Sequence, residues 1–374
     1  MSFDAATQRR RVLVARAVGF DAAQLARVAA ISADLASLDD PHALATLGIP
    51  GRARERFCAP DAALIDEDLL WLERSRIALV LACDAAYPPL LLQSPDPPAA
   101  LFVRGDVSVL ADPQLAMVGS RNPTAGGRAT AKDFAKTFAR AGLTVTSGLA
   151  LGIDAACHEG ALDAGGVTIG VLGSGLDRLY PPQNAALAER IAASGAVITE
   201  FPRGTVPRAA HFPQRNRIIA GLTLGTLVVE AARDSGSLIT ARLAGTAGRE
   251  VFAVPSSIHN TFARGCHELI RQGAKLVEKP EDVWVDLKIS LANQLLATPR
   301  ETPGNPPALD KEYKILLDAL AFEPASVDSL IERTGMSSES IASMLLILEL
   351  EGHVAPHPGG RYSRMAGPEA TATA

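Results

Sequence analysis

Nowhere in its 374 residues does the chain carry an apolar run long enough to cross a bilayer, which needs about 18 residues or more. No membrane span is expected. No secretory leader is read near Met1 either, because Arg16, Asp21 and Arg27 break up the positions where a leader needs a continuous apolar region. Cysteine is scarce. Cys58, Cys83, Cys157 and Cys266 lie far apart, with no Cys-x-x-Cys pair. A disulfide framework and a zinc knuckle are not suggested, and a cytoplasmic location is expected. Nucleotide fingerprints are missing as well. There is no Gly-x-x-x-x-Gly-Lys-Ser/Thr loop, no Gly-x-Gly-x-x-Gly after the first core strand, and no Gly-x-Ser-x-Gly elbow at Ser120 or Ser147. ATPase, dinucleotide and serine-hydrolase chemistry lose their usual supports. The neighbours Cys157-His158 and Cys266-His267 do not by adjacency make a metal site or a dyad. No metal, cofactor or catalytic residue is assigned.

What is present is a segregation of charge. The formal net charge is −5, from 36 Lys/Arg and 41 Asp/Glu. Residues 112–279 hold 18 basic and 13 acidic side chains, a net of +5, which leaves 18 and 28 in the flanks, a net of −10. A basic middle between acidic flanks suits a polyanion bound at the middle.

Residues 1–70 are rich in Ala and Leu at helical spacing, interrupted by Leu47-Gly48-Ile49-Pro50-Gly51-Arg52. That turn outlines a small helical domain of sterile-alpha-motif or helix-hairpin-helix type. Such a turn either touches a DNA backbone through its amides or simply joins packed helices, and packing is the favoured reading. From Ile77 the pattern changes. Residues 77–81 and 100–103 read as lead-in strands. Apolar runs at 115–118, 143–146, 167–172, 196–199, 224–229 and 251–254 then alternate with helical patterns at 124–141, 154–164, 184–193 and 238–247. Strand–helix repeats of about 25 to 30 residues give right-handed βαβ units and a parallel sheet. Continuous apolar strands fit a sheet covered on both faces. Residues 289–309 are rich in proline and read as a linker. Helical patterns at 311–321, 327–334 and 337–350, followed by a two-stranded wing, outline a winged helix over 310–366, with 367–374 as a tail. The fold class is α/β: an extended Rossmann-like parallel-sheet core over 77–288, with an N-terminal small helical domain and a C-terminal winged-helix domain.

The core strands end in loops of small residues. Gly119-Ser120-Arg121 follows the first, Ser147-Gly148 the second, Gly173-Ser174-Gly175 the third, and Ser235-Gly236-Ser237 the strand at 224–229. Such loops let the backbone approach a ligand and aim N–H groups at phosphate oxygens, helped by helix N-termini. Singly, each is also an ordinary tight βα turn. Jointly, with Arg121 and the run Phe212-Pro213-Gln214-Arg215-Asn216-Arg217, they read as one phosphate-binding face. Arginine keeps its charge and carries a fork of donors that suits phosphate. On an extended turn Arg215 and Arg217 share a side and form a phosphate ladder; on a helix they diverge. Alternatively one of the pair is internal, braced by Glu200 or Glu230. Phe212, with Tyr180, Phe201 and His211 nearby, offers rings on which unpaired bases stack, or else packs in the core beside proline turns.

Several of these segments resemble, in content and order, the DNA-processing protein A (DprA/Smf) family. They are Met117-Val118-Gly119-Ser120-Arg121-Asn122-Pro123-Thr124, Ser147-Gly148-Leu149-Ala150-Leu151-Gly152-Ile153-Asp154 and Val171-Leu172-Gly173-Ser174-Gly175-Leu176-Asp177. Tyr180-Pro181, residues 212–221, Ser235-Gly236-Ser237-Leu238-Ile239-Thr240 and Val251-Phe252-Ala253-Val254-Pro255 extend the likeness over about residues 77–285. The resemblance implies a Rossmann-like domain that binds single-stranded DNA and self-associates as a homodimer. It implies protection of incoming strands and loading of the RecA recombinase onto them, past single-strand-binding protein, during natural transformation. By motif position, Arg121, Arg215 and Arg217 would contact the DNA or shape its pocket. Gly119, Ser120, Ser147, Gly148, Gly173, Gly175, Phe212, Asn216 and Ser235 complete the expected site. Two positions depart from the pattern. Leu151 stands where the family commonly has Arg, which removes one phosphate contact. Pro255-Ser256-Ser257 replaces the usual Pro-Gly, which changes the shape of the following loop.

The reading is therefore a non-enzymatic single-strand mediator, with two rivals of other classes. Gly221, Gly225-Thr226 and Glu230 faintly resemble Rossmann relatives that cleave nucleoside monophosphates, Glu230 then orienting water or ribose or else capping the sheet edge. A winged-helix transcription regulator is the other. Residues 311–364 hold five basic and eight acidic side chains, and Ser337-Ser338-Glu339-Ser340 lacks the Lys or Arg that read bases. A protein-contact role is expected there.

Overall fold

In the computed structural model, the described residues are 4–17, 19–287, 311–320, 325–350, 353–357 and 361–364. They fall into two compact units, Met1–Ser290 and Leu291–Ala374. The linker read at 289–309 and the tail at 367–374 lie outside the described residues.

The first unit opens with helices α1 (Ala5–Arg16), α2 (Ala22–Ile31), α3 (Pro41–Thr46), α4 (Gly51–Cys58) and α5 (Ala62–Arg74). Aspartates start most of them. Asp4, Asp21, Asp40 and Asp61 each accept a backbone N–H of the following first turn, a donor the helix itself leaves unbonded. The apolar faces of these helices close on one another and on the sheet edge. Leu25, Leu38, Leu44 and Phe57 share a buried cluster with Leu81, Ala99 and Ala100 beside the sheet. The Arg11 guanidinium reaches across to Asp84 at 2.8 Å and to the Leu79 carbonyl at 2.8 Å. The helices are a cap on one edge of the sheet.

The sheet has nine strands in the order β1-β2-β6-β5-β4-β3-β7-β8-β9. These are β1 (Ile77–Leu81), β2 (Ala100–Gly105), β3 (Gln114–Val118), β4 (Thr144–Ser147), β5 (Thr168–Val171), β6 (Ala196–Thr199), β7 (Gly225–Val228), β8 (Glu250–Ala253) and β9 (Lys275–Leu276). From β3 onward every pairing is parallel, and the lead-in strands β1 and β2 join as an antiparallel edge. The helices are α6 (Pro89–Leu92), α7 (Ala125–Arg140), α8 (Ile153–Asp163), α9 (Ala185–Ser194), α10 (His211–Leu222), α11 (Ser237–Thr246) and α12 (Arg264–Arg271). Strands β3 to β7 are buried along their whole length, as a sheet covered on both faces requires.

Chain order decides where a ligand can enter. The chain steps outward from β3 through β4 and β5 to β6. Helix α10 then carries it back to β7, on the other side of β3. At such a reversal the crossovers diverge to opposite faces, and a crevice opens beyond the carboxyl ends of the two central strands.

In the second unit, helices Lys311–Leu320, Val327–Thr334 and Ser338–Leu350 pack around Leu316, Leu320, Leu330, Ile341, Leu345 and Leu348. The two-stranded wing read from the sequence is present, and a short third strand joins it. Ala325–Ser326 pairs with Arg361–Arg364, which pairs with Val354–His357. A two-residue strand is too short to show an alternating pattern, so the sequence gives it no signal.

Candidate functional site

A cleft of 610 Å³ lies at the switch point between β3 and β7. Of the residues expected in a binding face, Gly119, Ser120, Arg121, Phe212, Arg215, Asn216 and Ser235 line it. Ser147, Gly148, Gly173, Gly175 and Arg217 do not. The Ser147 hydroxyl is fully buried and donates to the Met117 carbonyl at 2.6 Å, tying β4 to β3. Gly173 lies against the Phe212 ring, where an added Cβ would stand 3.2 Å from it. The Gly175 amide donates to the Thr205 carbonyl at 3.0 Å. Asn122, Asp154, Asp234, Ile239, Thr240 and Phe262 also line the cleft. Sequence reasoning did not place them there, because which loop tips meet is set by strand order.

The cleft is suited to an anion. Arg121 is exposed, and its guanidinium carbon sits 5.3 Å from the centroid of the Phe212 ring, a cation–π contact that leaves the N–H fork free. Tyr180 lies 5.9 Å from Phe212, centroid to centroid, and is exposed. Helix α11 starts at the cleft with no side chain capping it. Its first amides are already engaged, Ser237 by the Ser235 hydroxyl at 3.4 Å, Leu238 by the Ser235 carbonyl at 3.1 Å and Ile239 by the Gly236 carbonyl at 3.1 Å, while the Ser235 and Ser237 hydroxyls, 2.7 Å apart, keep one proton between them for a ligand. Asn216 donates to the Gly236 carbonyl at 3.3 Å and holds the loop to α10.

Below the cleft lies a buried cation. Arg215 is 5% exposed. Its Nη1 donates to the Val171 carbonyl at 2.7 Å, while Nε has no partner. Burial pushes its pKa down to about 10, against the opposing pull of Asp154. Asp154 accepts from the amides of Gly148 at 3.2 Å and Ala150 at 3.4 Å. Burial raises its pKa, opposed first by Arg215. A Cβ at Gly148 would stand within the Arg215 guanidinium, so any larger residue there has to displace that side chain. His158 is fully buried beneath. Thr168 gives its hydroxyl proton to the Val145 carbonyl at 2.6 Å, so His158 Nδ1 donates to Thr168 at 2.7 Å and Nε2 is bare and unpartnered. Burial, then Arg215, pushes the His158 pKa down to about 3.

The extended-turn geometry for Arg215 and Arg217 is not formed, because residues 211–222 are helix α10. Pro213 looked like a break, yet it sits in the first helical turn, where its missing N–H leaves no bond unmade. The two arginines therefore diverge. Arg217 is the one braced by Glu200, as in the sequence alternative, although Arg215 is the more buried of the two. Arg217 pairs with Glu200, reaches Asp96 Oδ2 at 3.2 Å and donates to the Asp96 carbonyl at 2.6 Å. Burial raises the Glu200 pKa and Arg217 opposes it. This pair lines a second depression of 480 Å³ against α1 and the α1–α2 turn.

Glu230, the candidate carboxylate of a nucleotide-cleaving site, is 3% exposed and committed. It accepts from the Thr124 amide at 2.8 Å, the Thr124 hydroxyl at 3.0 Å and Asn260 Nδ2 at 3.0 Å. Its backbone carbonyl accepts from the Ser120 amide at 2.7 Å. It fastens β7 to the start of α7 and to the loop carrying Asn260, and Asn260 had no motif to reveal it. Among the described residues no group of His, Cys, Asp and Glu is arranged to hold a metal, and no helix is long and apolar enough to cross a membrane.

An anion-receptive switch-point cleft on a parallel Rossmann-like sheet, followed along the chain by a winged helix, defines the class. The chain belongs to the DNA recombination-mediator protein A family: that family model matches residues 78–288, and a DprA winged helix domain matches residues 300–360. Protein Smf of Escherichia coli K12 is 42% identical over 329 residues, covering 87% of this chain and 87% of its own length. DNA processing protein DprA of Bacillus subtilis is 44% identical over 202 residues, covering 54% of this chain and 68% of its own. The X-ray structure of DNA processing protein A from Streptococcus pneumoniae matches with a TM-score of 0.65 at 36% identity, over 74% of this chain and 96% of that one. A structure of the Helicobacter pylori protein, concerned with its single-stranded DNA binding mode, matches with a TM-score of 0.52 at 27% identity, over 58% and 97%.

Two outcomes follow from the buried charges. Arg217→Ala leaves the largely buried Glu200 without its partner, and is expected to cost about 3 kcal/mol, read as a shift of the urea midpoint. His158 has a lower pKa folded than unfolded, so the unfolded chain takes up the proton first. Its contribution is complete above pH 6.5 and is lost as pH falls toward about 3, at up to about 1.4 kcal/mol per pH unit. Unfolding free energy plotted against pH over that window should be flatter for His158→Asn than for the parent.

Proposed function

We propose that this chain is a single-stranded DNA-binding recombination mediator without catalytic activity. It holds incoming single strands as a homodimer and loads the RecA recombinase onto them, past single-strand-binding protein, during natural transformation. The observation that carries the reading is Arg121. Its cation sits unpaired at the mouth of a switch-point cleft, over an aromatic ring, while Arg217 is spent on carboxylates. Phosphate meets Arg121, Ser120 and Ser235; a base meets Phe212 and Tyr180. The Helicobacter pylori relative, studied for its single-stranded DNA binding mode, supports the choice of ligand. The family description supports a mediator role, and RecA and single-strand-binding protein follow from that role.

The engagement of Glu230 by three donors speaks against the nucleoside-monophosphate-cleaving alternative, which needs that carboxylate free for water or ribose. The location expected for this work is the cytoplasm.

A salt-dependent titration with single-stranded and duplex DNA is the test. Affinity for the single strand should fall steeply with salt as counterions are released. Arg121→Ala should weaken binding and reduce the salt slope by about 1, with the melting temperature unchanged. Equal binding of duplex, or an unchanged Arg121→Ala, would overturn the site. RecA filament assembly on strands coated with single-strand-binding protein, with and without this chain, tests the loading role.

The winged helix takes the protein-contact role in this reading. Deleting residues 310–374 should change single-strand affinity by less than about tenfold, or roughly 1.4 kcal/mol, in the same titration.

A further inference from the structure

The N-terminal helices reach the loop between β6 and α10, which runs from Glu200 to Ala210 and leads into Phe212. Asp68 on α5 is 2% exposed. It is gripped by both ends of the Arg16 fork, with Nη2 at 2.7 Å from Oδ1. Arg203, in the loop, places Nη1 3.6 Å from the same carboxylate and Nη2 3.0 Å from Glu67. Arg16 Nη2 also lies 3.4 Å from the Arg203 carbonyl. Thus α1 and α5 hold one loop residue by its side chain and by its backbone.

What that loop holds in turn is the small-residue loop that braces the cleft from beside it. One residue after Arg203, the Gly204 amide donates to Asp177 at 2.9 Å. The Thr205 carbonyl accepts the Gly175 amide at 3.0 Å. The small-residue loop after β5 is therefore tied to residues 204 and 205. Ala209 and Phe212, at the other end of the same segment, line the cleft itself. Gly204 has a φ of +85°, a conformation that side chains resist, so the chain turns sharply just beyond the gripped residue.

We propose that Arg203 is a positioning residue for the cleft: through Asp68 and Glu67 it makes the N-terminal helices fix the loop on which Phe212 is delivered. The inference rests on the single-strand reading above. It adds to that reading a part of the site outside the 78–288 family match. Arg203 touches no ligand. Its effect comes through the rest position of the segment 204–212.

The test uses the full chain. Arg203→Gln removes the charge but leaves the Arg16–Asp68 pair intact, so the fold is retained. It should bind a single-stranded oligonucleotide about threefold or more weakly, and the amides of Gly175 and Gly204 should exchange faster with solvent. Arg203→Lys, which keeps a cation near Glu67, should recover part of both. Arg121→Ala serves as the reference for direct loss of a contact and should leave the two amides unchanged. If the parent binds and Arg203→Gln binds equally well, the inference is overturned, whether or not the amides loosen. If Arg203→Gln binds more weakly with both amides unchanged, it is overturned too, since the loop has not moved. A parent that fails to retain any single strand overturns the functional reading, and the inference falls with it. That case is told apart by the loss of signal in every variant.

Discussion

The site is organised around a guanidinium that has been taken out of water. A buried charge costs several kcal/mol unless its surroundings replace the lost hydration. Arg215 draws that replacement from the Val171 carbonyl at the end of β5 and from the field of Asp154 at the start of α8. Asp154 is in turn held by the Gly148 and Ala150 amides after β4. One cation thereby fixes where two strands stop and how one loop turns. The match is incomplete, because Nε is left without an acceptor.

Helix α10 divides the work of the basic run. Residues two apart on a helix point about 200° from each other, at 3.6 residues per turn. Arg215 and Asn216 consequently serve the cleft, while Gln214 and Arg217 line the depression against the N-terminal helices. The same helix is the crossover that creates the switch point. Its sequence has to satisfy two sites and a sheet reversal at once, which accounts for its density of polar residues between apolar ones.

Much of this was legible in the chain. Strand runs such as Ala196–Thr199, bounded by small residues and separated by helical patterns, carry both their type and their limits locally. The small-residue loops announced that ligand contact happens at strand ends. Which of those loops meet was not legible, because adjacency depends on β7 returning beside β3, a pairing between residues far apart in sequence. Gly173 and Gly175 belong to a loop that lies farther out along the sheet, and so they brace rather than line. Pro213 misled for a local reason: proline ends a helix from within but is tolerated in its first turn. The packing of residues 1–70 onto β1 and β2 left no trace in periodicity, since an apolar helix face looks alike whether it meets a helix or a sheet.

Glu230 has a wider consequence than its hydrogen bonds. By joining β7, the head of α7 and Asn260 through one carboxylate, it stitches the two halves of the sheet together across the switch point, where an open α/β sheet is otherwise most easily pried apart. These three bonds oppose any widening of the cleft at that point. All bending needed for entry then falls on whatever enters. For a polyanion this makes stiffness a criterion of selection in its own right: a duplex resists curvature over about 50 nm, whereas an unpaired strand can fold its backbone into the slot and turn its bases to the rim. Discrimination between the two would then come from the mechanics of the guest more than from any contact in the host.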